Sequence, residues 1–126
     1  MNRILLIEDE GELLEIYQIM LNEAGFKTLK SDNGSDALKK LSNERFSLII
    51  SDLNLPRVAG VNVITEVRKT KEKLNYETPV LVVSAFIDQG VVKKLHSLGQ
   101  IHFLVKPTES KNLISKVKSL IKAKAS

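Results

Sequence analysis

Four short aliphatic runs, each closed by a polar residue suited to phosphate chemistry, constrain this chain more than any other feature. Residues 4–7 (Ile-Leu-Leu-Ile) run into Glu8 and Asp9, and residues 48–50 (Leu-Ile-Ile) run through Ser51 into Asp52. Residues 80–83 (Val-Leu-Val-Val) run into Ser84 and Ala85, and residues 103–105 (Phe-Leu-Val) into Lys106 and Pro107. Short, continuous aliphatic runs are what strands buried on both faces of a parallel sheet require. In open α/β sheets, ligands sit at the carboxyl ends of the strands, in the crevice where strand order reverses. The pattern therefore predicts three acids, a hydroxyl and a lysine converging on one edge. Carboxylates that close repel one another unless a cation holds them, so a divalent metal is expected. A lysine opposite them predicts an anion beside that metal. Metal, phosphoryl group and acidic acceptor are the parts of an aspartyl-phosphate site.

Segments of helical period separate the runs. Residues 12–24 place Leu13, Ile16, Tyr17, Met20, Leu21 and Ala24 at three- and four-residue spacing, and Gly25 supplies a C-terminal stop. Residues 26–30 alternate and read as a less buried strand near a sheet edge. Residues 31–34 read as a turn, with Ser35 as the N-cap of a helix carrying Ala37, Leu38 and Leu41. Val61, Ile64 and Val67 mark a third helix that frays into the polar stretch 69–78 before Pro79. Val91, Val92, Leu95 and Leu98 mark a fourth, closed by Gly99. Leu113, Ile114, Val117, Leu120 and Ile121 form the stripe of the last, and residues 122–126 read as its fraying end. Strand and helix thus alternate five times, which predicts an α/β domain with a parallel sheet and right-handed crossovers.

At 126 residues the chain reads as one domain, 1–126. No apolar run approaches the roughly 20 residues of a membrane span. The absence of cysteine excludes disulfides, thiolate catalysis and cysteine-ligated zinc. A cytoplasmic location fits these features. The net charge of +4 is local in origin: residues 106–126 carry six lysines and one acid, whereas residues 1–105 carry 13 basic and 14 acidic side chains. A solvated helix face accounts for such a segment. The acidic body argues against a broad nucleic-acid footprint.

Asp52 is followed by Leu53, Asn54, Leu55 and Pro56, with Gly60 four residues beyond the proline. Pro56 cannot continue a ladder and Gly60 permits an unusual backbone turn, so Asp52 is expected in a loop crevice. Asp52 alone could be a turn cap, and Glu8 with Asp9 could be the acidic first turn of a helix. Those alternatives weaken together once the fold brings both strand ends to adjacent central positions. Magnesium prefers near-octahedral oxygen coordination, with carboxylates, waters and phosphate oxygens. Asp9 and Asp52 are candidate direct ligands, Glu8 one acting through water, and the Asn54 carbonyl a further one. Lys106 stands at the end of a buried strand, where an ammonium needs an anion partner. The Lys106–Pro107 bond has cis available as a way to aim that lysine. Ser84 offers a hydroxyl to a phosphoryl oxygen, with Ala85 small enough to leave the approach open; a helix N-cap is the equal alternative for Ser84. Phe103 reads as a core aromatic, and His96 and His102 as surface residues on or after the fourth helix. Neither GxxxxGK[ST] nor GxGxxG occurs.

The constellation of Glu8-Asp9, residues 52–56 with Gly60, Ser84-Ala85 and Lys106-Pro107 resembles the receiver domain of two-component response regulators, over essentially the whole chain. The resemblance implies a flavodoxin-like, five-stranded parallel sheet of order 2-1-3-4-5 with helices on both faces. It implies that Asp52 accepts a phosphoryl group from a phosphohistidine on a sensor histidine kinase or phosphotransfer protein, with Mg2+ at Glu8 and Asp9. Ser84 would follow the phosphoryl group, Lys106 would pair with it, and Phe103 would be the switch aromatic on the face formed by the fourth helix, last strand and fifth helix. Asn54 and Phe86 occupy positions that tune dephosphorylation in such proteins. The activity implied is self-phosphorylation and self-dephosphorylation within a signalling switch, passed to an output protein not identified by the sequence. The chain closes after its fifth helix with no output domain within it, so a stand-alone receiver, or a receiver cut from a longer protein, is expected. Glu8 stands where Asp is commoner, and residues 98–102 replace the usual small, acid-containing stretch. A phosphatase of the haloacid-dehalogenase type would need an acid two residues after Asp52, where Asn54 stands. An interaction-only receiver would lack an acid, the hydroxyl or the lysine, and none is missing.

Overall fold

The computed structural model describes residues 2–125, with side chains described through Lys122. Five strands alternate with five helices: β1 (Arg3–Ile7), α1 (Gly11–Glu23), β2 (Lys27–Ser31), α2 (Gly34–Asn43), β3 (Leu48–Ser51), α3 (Gly60–Val67), β4 (Val80–Ser84), α4 (Gln89–His96), β5 (Ile101–Val105) and α5 (Ser110–Ala125). All pairings are parallel and the sheet order is β2-β1-β3-β4-β5. This is the expected doubly wound order.

The aliphatic runs are buried on both faces because successive side chains alternate across the sheet. Leu5, Ile7, Ile49, Val80 and Val82 pack with Ala37 and Leu41 of α2, Val63, Ile64 and Val67 of α3, and Leu95 of α4. Ile4, Leu6, Leu48, Ile50, Leu81 and Val83 pack with Leu14, Tyr17 and Leu21 of α1 and Leu113 and Val117 of α5. Each fully buried aliphatic side chain contributes about 1.5–3 kcal/mol of transfer free energy. β2, the alternating strand, lies at one edge, and β5 lies at the other.

Several local readings need correction. The cap of α2 is Asn33, whose Oδ1 accepts the Asp36 N–H at 2.8 Å; Ser35 lies inside the helix. Aspartate at 88 caps α4 by accepting the Val91 N–H at 2.9 Å, which leaves Ser84 free for another role. α1 begins at Gly11, so Glu8 and Asp9 precede its first turn. Gly60 has no positive φ; the left-handed residue of that loop is Arg57, at φ 68°. Glycine is needed at 60 for a close approach, since an added Cβ would lie 2.2 Å from the Asp52 carbonyl oxygen. Gly60→Ala is therefore expected to push the chain after Asp52 outward, costing about 2 kcal/mol in a urea melt. A variant as stable as the parent would show that the loop yields freely.

The stretch after α3 is not a frayed end. Arg68, Asn75 and Thr78 are buried and hold the amino-terminal edge of the sheet. Arg68 donates to the carbonyls of Gly99 (3.1 Å), Asn75 (3.2 Å) and Thr78 (2.6 Å). Asn75 accepts from the Phe46 N–H at 2.8 Å and donates to the carbonyls of Leu41 and Glu44 at 2.8 and 2.9 Å. The single Thr78 hydroxyl proton is shared within this cluster between Asn75 Oδ1 at 2.9 Å and the Phe46 carbonyl at 3.1 Å. Backbone groups between α2 and β4 that water cannot reach are satisfied this way. Among the described residues, no helix is long and apolar enough to cross a membrane. The fraying expected at the C-terminus falls partly on Ser126 and on side chains 123–125, outside the described residues; the helix itself runs to Ala125.

Candidate functional site

Strand register brings the polar ends together. Ile7 pairs with both Ser31 and Ser51, and Ser84 pairs with Val105, so residues just past β1, β3 and β5 lie along one edge with Ser84. The ladder extends a step further on each side. The Asp52 N–H donates to the Ile7 carbonyl at 3.1 Å, and the Lys106 N–H donates to the Ser84 carbonyl at 2.9 Å. Backbone hydrogen bonds thus fix the origins of Asp52 and Lys106 before their side chains interact.

Asp52 is 8% exposed and has four donors. Its Oδ1 accepts the Ser84 hydroxyl at 2.8 Å and the backbone N–H groups of Leu53 and Asn54 at 2.6 and 3.1 Å. Its Oδ2 accepts the Lys106 ammonium at 2.7 Å. Lys106 also donates to Glu8 Oε1 in a very close ion pair. Glu8, 2% exposed, takes the Glu10 N–H on its other oxygen at 3.3 Å. Asp9 is exposed beside them.

The electrostatics separate the two buried acids. Burial pushes the Asp52 carboxyl up, but the hydrogen bonds from Lys106, Ser84 and the Asn54 N–H outweigh it and hold its pKa below the ordinary aspartate value. For Glu8 burial dominates, and its pKa stays raised despite Lys106 and the Glu10 N–H. Burial opposes the charge on Lys106 as well, yet its bonds to Asp52 and Glu8 hold the ammonium above the ordinary lysine range. Asp52 is thus held as a hydrogen-bonded anion.

One carboxylate oxygen from each of Glu8, Asp9 and Asp52 lies within 4.8 Å of the others. An oxygen-only set with an exposed member suits a hard, partly hydrated cation such as Mg2+ better than a softer metal. Each carboxylate oxygen can accept more than one partner, so the single lysine bond on Asp52 Oδ2 does not exhaust it.

The other expected residues fall as follows. Ala85 is exposed next to Ser84, and the Lys106–Pro107 bond is cis. Asn54 is exposed on the loop after Asp52, and Phe86 is 73% exposed. Phe103 is half-buried on β5 rather than enclosed in the core, and its ring stacks on that of His96, with centroids 6.0 Å apart. His96 is an exposed α4 residue as expected, but His102 lies within β5.

Two contributors escaped the sequence reading. The Leu53 and Asn54 amides act through main-chain atoms, which no residue identity reveals. Gly34 at the start of α2 donates to the Pro56 carbonyl at 3.3 Å, and a Cβ there would lie 1.9 Å from the Val58 carbonyl oxygen. α2 therefore buttresses the loop after Asp52. The only sequence signal was a glycine beside a helix cap.

The sequence pattern described as the response regulator receiver domain matches residues 4–118. The chain is 31% identical over 127 residues to a CpxR homolog, a transcriptional regulatory protein of Haemophilus influenzae, covering 100% of this chain and 53% of that one. It is 29% identical over 121 residues to the alkaline phosphatase synthesis transcriptional regulatory protein PhoP of Bacillus subtilis, covering 95% of this chain and 48% of that one. The chain thus spans about half the length of these curated relatives. Among solved structures, it superposes with a TM-score of 0.85 at 28% identity on the signal receiver domain of a signal transduction histidine kinase from Syntrophus aciditrophicus. That match covers 98% of this chain and 92% of the other. A CheY-like receiver domain protein from Methanospirillum hungatei gives a TM-score of 0.89 at 20% identity, covering 98% and 95%, and bears on the fold. Pattern, relatives and strand order agree, and the chain belongs to the response regulator receiver domain family.

Proposed function

We propose that this domain is a phosphorylation-dependent signalling switch in which Asp52 accepts a phosphoryl group from a phosphohistidine of a sensor kinase or phosphotransfer protein. The observation that carries the reading is Asp52 itself. It is an ionised carboxylate at the end of a central strand, bonded by Ser84 and Lys106, with Glu8 and Asp9 beside it. In the transfer, an Asp52 oxygen attacks phosphorus, the phosphorus–nitrogen bond breaks, and the histidine nitrogen leaves with the bonding pair. Asp9 and Asp52, with the Asn54 carbonyl and Glu8, would hold Mg2+, which would supply charge neutralisation when bound.

Ser84 and Lys106 are the groups that respond. Both now donate to the carboxylate, and both carry protons that phosphoryl oxygens accept. Once Asp52 becomes an acyl phosphate, its carboxyl charge is gone and the new charge lies further out. Ser84 and Lys106 follow it, and Ala85 leaves room for the group. β4 and β5 are paired with Val82 opposite Phe103 and Ser84 opposite Val105, so a shift at Ser84 is felt along β5. Phe103 then exchanges its stacked position on His96 for an inward one, altering the α4–β5–α5 face. Asn54 and Phe86 flank the approach of water and tune loss of the phosphoryl group, and Pro56, Gly60 and Pro107 shape the loops that carry the site. The domain turns over no external substrate beyond its own phosphorylation and dephosphorylation.

Incubation with acetyl phosphate and Mg2+ followed by intact mass tests this. The parent protein should gain one phosphoryl group, and Asp52→Asn should gain none while keeping its circular dichroism. Equal labelling of the two proteins would overturn the assignment.

A further inference from the structure

A cleft of about 750 Å³ lies at the amino-terminal ends of β1, β3 and β4, between residues 45–47 and the segment 71–78, with Ile121 of α5 on its lining. The strands are parallel, so this is the end of the sheet away from Asp52, and the cleft shares no residue with that site. Its volume falls in the range of small-molecule sites. Two of its lining residues, Phe46 and Thr78, are buried, each 4% exposed. The Phe46 N–H is fixed by Asn75 Oδ1 at 2.8 Å, and the Asn75 amide also ties the Leu41 carbonyl at 2.8 Å. A cleft whose base is held in this way is formed before any ligand arrives, which lowers the ordering cost of binding.

The charge of the lining is one-sided. Arg45, Lys71 and Lys73 line the cleft with a single acid, Glu77. Lys73 is paired with Glu66 at 2.8 Å, but among the described residues neither Arg45 nor Lys71 is in an ion pair. Leu74, a large aliphatic residue left 39% exposed, and the half-buried Tyr76 add apolar and aromatic surface to the same lining. Two cations without a counter-ion beside an aromatic residue are complementary to an anion that carries a planar ring. The positive field is also local. Glu66 and Glu72 line the adjoining groove, so a polyanion running past the cleft would meet acids that a small anion would not.

We propose that this cleft binds a small phosphorylated ring compound of the nucleoside diphosphate class, with its phosphates at Arg45 and Lys71 and its ring against Tyr76 and Leu74. The Arg45 guanidinium offers the planar fork that two phosphate oxygens accept together, and Lys71 adds a point charge. Three cations against one acid suit a ligand of more than one negative charge, which favours a phosphate ester over a single carboxylate. Recognition is by side chains alone, so neither a glycine-rich phosphate loop nor a metal is needed. The residues involved belong to the edge that Asn75 and Thr78 hold together, and a ligand that binds only this folded edge stabilises the domain by mass action. The site stands without the phosphorylation reading.

The test titrates the protein, in EDTA, with adenosine diphosphate, adenosine, inorganic pyrophosphate and a short single-stranded oligodeoxyadenylate. Adenosine diphosphate should shift the amide resonances of residues 45–47 and 71–78, weaken with added salt and raise the melting temperature. It should bind at least ~10-fold more tightly than adenosine or pyrophosphate, since each of those makes only one of the two contacts. Arg45→Gln combined with Lys71→Gln should weaken it ~10-fold or more, with unchanged melting in the absence of ligand and unchanged labelling of Asp52. No shift at millimolar adenosine diphosphate, equal binding of adenosine or pyrophosphate, shifts centred on Asp52 and Lys106, or tighter binding of the oligonucleotide would overturn the proposal. So would a double variant that binds as the parent does. Asp52→Asn should bind adenosine diphosphate as the parent does, so a failure of Asp52 to accept phosphate would leave this outcome readable.

Discussion

Lys106→Met is expected to destabilise the domain by about 3 kcal/mol at neutral pH, because it leaves two buried carboxylates facing each other without a cation. Lys106 is the one ammonium between Glu8 and Asp52, whose side chains are 3% and 9% exposed. For a domain of this size the loss corresponds to a fall of roughly 10 °C in melting temperature. The pH dependence follows from the directions of the shifts. In the parent, Asp52 titrates below its unfolded value, so its stabilisation is present above that value and is lost as pH falls through the lowered one. Glu8 titrates above its unfolded value, so protonating it in the folded state adds stability as pH falls through the raised one. The raised value of Lys106 means that its stabilisation is complete below the unfolded lysine pKa and is lost as pH climbs through the folded one. Without Lys106 the two acids repel, and protonation relieves them. The gap between variant and parent should therefore narrow from pH 7.5 to pH 5, and narrow again in millimolar Mg2+ at neutral pH. A gap indifferent to both, measured by urea unfolding, would mean that Lys106 contributes through packing and not through charge.

Asn75→Ala should be as damaging to the fold and harmless to the chemistry. The side chain satisfies the Phe46 N–H and the Leu41 and Glu44 carbonyls, and alanine leaves them buried without this partner. A loss of about 3–4 kcal/mol is expected, with a melting temperature lower by roughly 10–15 °C. The cluster is at the amino-terminal edge of the sheet, roughly 15 Å of strand from Asp52. Well below the melting transition, labelling of Asp52 by acetyl phosphate should proceed at the parent rate. If that rate fell in step with stability, the two edges of the sheet would be coupled more tightly than their separation implies.

These two residues mark what could and could not be read in advance. Lys106 was legible because it ends an aliphatic run and precedes proline, and because three other runs end in complementary groups. Asn75 was not legible. It sits in a polar stretch of ordinary composition, and its partners are backbone groups 29 to 34 residues away in sequence. Periodicity reports which face of an element meets the core, but it carries no information on which distant carbonyl lacks a donor. The same limit explains the misplaced cap of α2: Asn33 and Ser35 are both competent, and only the backbone conformation at 33 selects between them.

By itself the sequence determined the five strand–helix units, the two-faced burial of the central strands and the set of chemical groups at their ends. Those depend on local period and residue type, which each segment carries alone. The tertiary structure decided which group touches which. It placed Lys106 between Glu8 and Asp52, turned Ser84 from a possible cap into a donor to Asp52, required glycine at 60 and 34 for close approach, and set Phe103 against His96. Each of these rests on the relative position of elements far apart in the chain. That position is fixed only when the two layers of helices pack and the sheet register locks.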